Sequence, residues 1–224
     1  FLALADHDLP AAIHGFEAAL RVKPDSPDLM MALCQTLYSQ DQPGQQERAI
    51  SLAHQLIASH KDYGTAYDFL YNAALHSGKT ADAEQVLKDK VQNDPKNGAY
   101  RIQLAEHYFR NHQQDRATAV MNDLTAAPGI PNSSMLAGEF YLATRQFSQA
   151  MEEFQKGADS QPAEREKYQK RQVQVLVAEG KLAEATKQVN QLIQRDPKDP
   201  DAIAMRAALR LHNGSLDDIA AAIK

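Results

Sequence analysis

Apolar residues fall at helical spacing along this chain. Between Asn97 and Asn111, the residues Ile102, Leu104, Ala105 and Tyr108 make one apolar face at i, i+3 and i+4 positions. A short polar turn follows, and Ala117, Val120, Met121 and Leu124 then make a second face. The pattern predicts two helices joined by a tight turn. Ser77-Gly78-Lys79, Glu179-Gly180-Lys181 and Asn213-Gly214-Ser215 supply the breakers such turns need. Nothing reads as a strand, because no stretch alternates apolar and polar residues between turn signals.

The two-helix unit recurs. Ala12, Ala49, Ala83, Ala117, Ala150 and Ala185 each stand near the start of an amphipathic segment, at steps of 37, 34, 34, 33 and 35 residues. Ile219 follows after another 34. A proline in a D-P, K-P or Q-P context (Pro24, Pro95, Pro162, Pro197) closes most units about twelve residues later. Such a period is the mark of a repeat architecture, in which each unit buries its apolar face only against its neighbours.

One copy carries the fullest set of spaced residues: Gly138, Tyr141, Ala150, Phe154 and Pro162. Small residues at Gly138 and Ala150 let two helices approach, Tyr141 and Phe154 fill the space between them, and Pro162 stops the second helix. This set resembles the signature of the tetratricopeptide repeat (TPR) family, and the resemblance covers essentially the whole chain. It implies an all-α fold, a right-handed α-solenoid or superhelix of helix-turn-helix hairpins. A single array over residues 1–224 is expected: a partial repeat at 1–24, repeats at about 26–61, 62–95, 96–128, 132–162 and 164–197, and a partial repeat at 198–224. Phe1 falls midway along a first helix and Lys224 midway along a second. No polar terminal cap is evident, so the natural chain is expected to continue in both directions.

Departures from the pattern carry information. The turn from Ser39 to Glu47 is about three residues longer than its counterparts, which reads as a surface insertion. The linker Ala127-Pro128-Gly129-Ile130-Pro131-Asn132 either kinks the superhelix or marks a seam between two stacks. Tyr71 stands where the family prefers a small residue, and Ala74 where it prefers Tyr. The pair reads as a size swap that conserves packed volume.

Candidate chemistry is sparse. The eight histidines and single cysteine form no metal-ligand spacing, since His107 and His112 are five apart and no HExxH run occurs. Cys34 aligns with Gly138 and is expected to be a buried structural thiol. Glu152-Glu153 and Asp217-Asp218 take surface-type positions on second helices. No nucleophile elbow or phosphate loop is present, so neither an enzyme active site nor a cofactor is expected. The net charge of -5 argues against nucleic acid as a partner, and no apolar run is long enough to insert in a membrane.

What remains is the concave groove, where the family's partners generally bind along the first helices. Groove positions carried over from the resemblance are Met31, Gln35 and Tyr38, then Asp68, Asn72 and His76, then Ile102, Glu106, Phe109 and Arg110. Met135, Glu139 and Leu142 follow, then Lys167, Lys170 and Gln174. The mixture suits an extended peptide or a helix. Some TPR co-chaperones hold a chaperone's terminal carboxylate in a Lys/Asn/Lys/Arg clamp. Here Lys167 and Arg171 match its third repeat, but Leu136, Ile102 and Glu106 replace the rest, so that clamp is not expected. The implied function is a non-catalytic protein-interaction scaffold. Repeat style points to a bacterial envelope, secretion or exopolysaccharide setting, with a periplasmic or envelope-associated location. The alternative is a regulatory or docking segment of a larger enzyme, such as a glycosyltransferase or polysaccharide synthase subunit. The sequence does not define the oligomeric state.

Overall fold

The structure, a computed structural model, describes residues 8–212. The expected turn at Asn213-Gly214-Ser215, the helix around Ile219, the Asp217-Asp218 pair and both chain ends lie outside the described residues. Among the described residues there are twelve α-helices and no strand. They are α1 (Leu9–Val22), α2 (Pro27–Tyr38), α3 (Pro43–Ser59), α4 (Gly64–His76), α5 (Thr80–Asn93), α6 (Gly98–Arg110), α7 (Gln114–Ala126), α8 (Ser133–Ala143), α9 (Phe147–Ser160), α10 (Arg165–Glu179), α11 (Leu182–Arg195) and α12 (Pro200–His212). A 3-10 turn at Pro162–Glu164 precedes α10.

Backbone chemistry sets the boundaries. The helices α1, α5, α9 and α11 end at Val22, Asn93, Ser160 and Arg195, each two residues before Pro24, Pro95, Pro162 or Pro197. The residue preceding a proline is forced out of the α region, so the helix stops one position earlier still. Inside the hairpins one turn geometry recurs. Lys79, Gln113, Gln146 and Lys181 donate their backbone N–H to the carbonyls of Ala74, Tyr108, Tyr141 and Leu176 at 2.8–2.9 Å. This is the six-to-one bond that closes a Schellman cap. The left-handed residue it requires is Gly78 (φ 69°) or Gly180 (φ 83°) in two turns, and His112 (φ 58°) or Arg145 (φ 60°) in the other two.

The chain divides into two compact units, residues 1–117 and 118–224. In the first, successive helices from α1 to α6 pack on their neighbours, and α2 also touches α4. Ala12, Ile13, Phe16, Leu33, Leu37 and Ala49 form one buried cluster there. Met31, Cys34, Ala53, Leu56, Ala66 and Leu70 form the next. In the second unit the helices from α8 to α12 pack in the same sequential way. Its largest cluster joins Val173, Leu176, Ala185, Val189, Leu192, Ala202 and Leu209. Ala49, Ala83, Ala117, Ala150 and Ala185 are all fully buried, as the 34-residue period requires. Close helix approach shows in the α8–α9 hairpin, where a Cβ on Gly138 would sit 2.6 Å from Cδ1 of the Phe154 ring.

Four readings of the sequence change. The stretch read as a long Ser39–Glu47 turn is helical from Pro43 onward: Pro43, at the first position of α3, starts that helix early and makes it 17 residues long against 14 for α5, with the added residues at the surface. The division between units falls between Ala117 and Thr118, ahead of the Ala127–Asn132 linker. Glu153 is not at the surface; it is 6% exposed and accepts from Lys156 Nζ at 2.8 Å. Tyr71 and Ala74 do not exchange volume. Tyr71 turns toward α6, its hydroxyl 3.3 Å from Nδ1 of His107 and the two rings edge to face at 5.7 Å. Ala74 instead borders an open cleft beside α3.

Candidate interaction surface

The first-helix face of the first unit gathers most of the residues expected there. Gln35 and Tyr38 on α2, with Asp68, Asn72 and His76 on α4, line one cleft of about 300 Å3 together with Thr65 and Phe69. They converge because positions three or four apart share a helix face, and α2 and α4 run side by side. The Tyr38 and Phe69 rings meet edge to face at 5.3 Å. Among the described residues, the side-chain amides of Gln35 and Asn72 make no intramolecular hydrogen bond. His76 Nδ1 lies 2.8 Å from the Asn72 carbonyl, which fixes its ring at the cleft mouth. The cleft thus offers two amides, a phenol and an imidazole around an aromatic floor. Such a set can pair with peptide N–H and C=O groups and cover an apolar side chain.

Met31 is the exception. It is 3% exposed and packed against Cys34 and Leu56, so it belongs to the core and not to the groove. On α6, Ile102, Glu106 and Phe109 are half-buried and Arg110 is exposed, and none of them borders the cleft. Arg110 donates to Glu106 at 3.2 Å, so the two charges offset one another.

In the second unit the expected charges are largely paired. Lys167 pairs with Glu164 and Arg171 with Glu139 at 2.7 Å, while Lys170 contacts Asp199 at 2.8 Å and Asp201 at 3.1 Å. The basic run from Arg165 to Arg171 is therefore not a free cationic patch. Met135 and Leu142 are half-buried on α8. Gln174 borders a more apolar cleft of about 390 Å3 lined by Val173, Val177, Met205 and Leu209.

Electrostatics beneath these faces serve packing. Lys90 is 3% exposed and donates to Asp68 Oδ1 at 2.5 Å and Gln103 Oε1 at 2.9 Å, with its Nζ 4.3 Å from the Tyr100 ring centre. Gln103 also donates to Asp68 at 2.7 Å, so the cleft's one carboxylate is held from behind. The sequence reading missed this network, although Lys90 shares the face of Ala83 and Leu87 at i+7 and i+3. Glu84 takes two hydrogen bonds from Arg116, at 2.6 and 2.9 Å, which hold its carboxyl down at about 2. Burial pushes the Cys34 thiol up to about 12 and lowers the His107 imidazole, leaving both neutral at pH 7. No group of three or more His, Cys, Asp or Glu is placed to hold a metal among the described residues. No described helix is long and apolar enough to cross a membrane.

Comparison with known proteins agrees with this architecture. Residues 74–129 match the family model of the tetratricopeptide repeat. A tetratricopeptide repeat protein from Parabacteroides merdae superposes with a TM-score of 0.51 at 13% identity, over 98% of this chain and 86% of its own. Yeast Tom70 superposes with a TM-score of 0.52 at 16% identity, over 98% of this chain and 54% of its own. At such identities the likeness is one of fold. No curated protein sequence matches the chain.

Proposed function

We propose that this tetratricopeptide repeat protein is a non-catalytic scaffold, a single array that holds a partner polypeptide along its first-helix face. The observation that carries the reading is the cleft between α2 and α4, where, among the described residues, the amides of Gln35 and Asn72 make no intramolecular hydrogen bond and stand beside Tyr38 and His76. An extended peptide or a helix end needs donors and acceptors of this kind, and it gains further from covering the Tyr38–Phe69 pair. The bacterial envelope setting is proposed from repeat style alone.

A direct test replaces Gln35, Asn72 and His76 together by Ala, all three being exposed. The fold is checked by circular dichroism, and partners recovered by pull-down are compared with wild type by mass spectrometry. Loss of at least one wild-type partner with helicity intact supports the reading. An unchanged partner set in a folded triple variant refutes binding at this cleft.

A further inference from the structure

A second cleft opens on another flank of α4. Asn72 and Ala74 are two residues apart and so point to nearly opposite sides of the helix. Ala74 and Ala73 border a space of about 260 Å3 between α3 and α5, walled by Ile50, Leu70 and Val86. The recurring turn identifies what is missing. The carbonyls of Ala74, Tyr108, Tyr141 and Leu176 accept the same six-to-one bond, so these four residues are structural equivalents. Tyr108 and Tyr141 are both buried, their rings occupying this position in α6 and α8. In α4 the position holds only a methyl group. Tyr71 cannot supply the ring, because it is engaged with His107 on α6.

An apolar space of about 150 Å3 is enough to hold a benzene ring, so this cleft has room for one aromatic side chain. Its rim is acidic. Asp82 and Asp89 both line it, and no Lys or Arg does. Neither carboxylate joins an ion pair among the described residues, and Asp89 receives only Gln85 Nε2, at 2.8 Å. The unfilled ring position thus lies beside two uncompensated negative charges.

We propose that the Ala74 cleft docks an aromatic side chain flanked by lysine or arginine on a partner polypeptide. The ring takes the place that tyrosine fills in α6 and α8, and the cation meets Asp82 and Asp89. This surface is separate from the Gln35–Asn72 cleft, and the two can be tested independently.

The probe is the peptide acetyl-Gly-Phe-Lys-Gly-amide, titrated while the methyl resonances of Ala73, Ala74 and Val86 are followed by NMR. Saturable shifts at these methyls are expected at millimolar peptide. The Phe→Ala peptide should cause none, and the Lys→Glu peptide should bind about tenfold more weakly. Ala74→Tyr should abolish the shifts by filling the cleft. If circular dichroism finds that variant unfolded, Asp82→Asn with Asp89→Asn replaces it, and the preference for Lys over Glu should vanish. The proposal is overturned if the methyls stay unshifted at about 10 mM peptide, a concentration that would reveal binding weaker than 1 mM. It is equally overturned by equal binding of the Lys and Glu peptides, by shifts that persist in folded Ala74→Tyr, or by a charge preference that survives in the double Asn variant.

Discussion

Gly138→Ala is a sharp test of how the hairpins are held together, because two effects of opposite sign compete at one atom. Glycine in a helix interior costs ~0.5–1 kcal/mol relative to alanine, so propensity alone predicts that the substitution stabilises α8. The added Cβ would lie 2.6 Å from Cδ1 and 2.8 Å from Cζ of Phe154. Favourable carbon contacts lie near 3.5–4.0 Å, and Phe154 is fully buried, so its ring can yield only by pushing on the side chains around it. Overpacking of this kind costs ~1–3 kcal/mol, and the clash should win by ~1–2 kcal/mol. Urea unfolding followed at 222 nm reads the difference. A double-mutant cycle with Phe154→Leu should show the two changes coupling by about 1 kcal/mol, since the smaller side chain makes room for the methyl. Gly138→Ala as stable as wild type, or more so, would refute the argument that this glycine exists for close approach.

The other predictions concern buried polar groups. His107 is held neutral by burial, so the unfolded chain binds a proton more readily. Stability should therefore fall as pH drops below about 6.5, and urea titrations at pH 7.5 and 5.5 should show His107→Gln losing part of that dependence. The Cys34 thiol, buried and raised to about 12, should resist a thiol reagent at pH 8 in the folded protein and react fully in denaturant; rapid labelling of native protein would contradict this. Asp68→Asn strips the counter-charge from buried Lys90 and should cost about 2 kcal/mol. Lys90→Met releases the half-exposed Asp68 to water and should cost less, so a reversed order in urea unfolding would mean that Lys90 is not tied to Asp68.

How much could be read without the structure differs from residue to residue. The period near 34, the proline stops and the hairpin turns were legible because they rest on local chemistry: helix faces, a missing N–H, and a left-handed residue at Gly78 or Gly180. The set Gly138, Tyr141, Ala150, Phe154 and Pro162 was legible for the same reason. On the candidate surface, the sequence marked Gln35, Tyr38, Asp68, Asn72 and His76 one by one. It could not say that α2 and α4 bring them to a single cleft, nor that Met31 turns inward to the core. Glu153 and Lys90 were likewise beyond it, because a charged side chain at an inward position is explained only by the partner opposite. The fate of Tyr71 and Ala74 depended most on tertiary structure. Their spacing suggested an exchange of volume, yet Tyr71 found its neighbour in His107, 36 residues away, and the space at Ala74 stayed open. Local sequence fixes what a helix can offer on each face. Only packing against the next helix decides which offers are filled from within and which are left for another molecule.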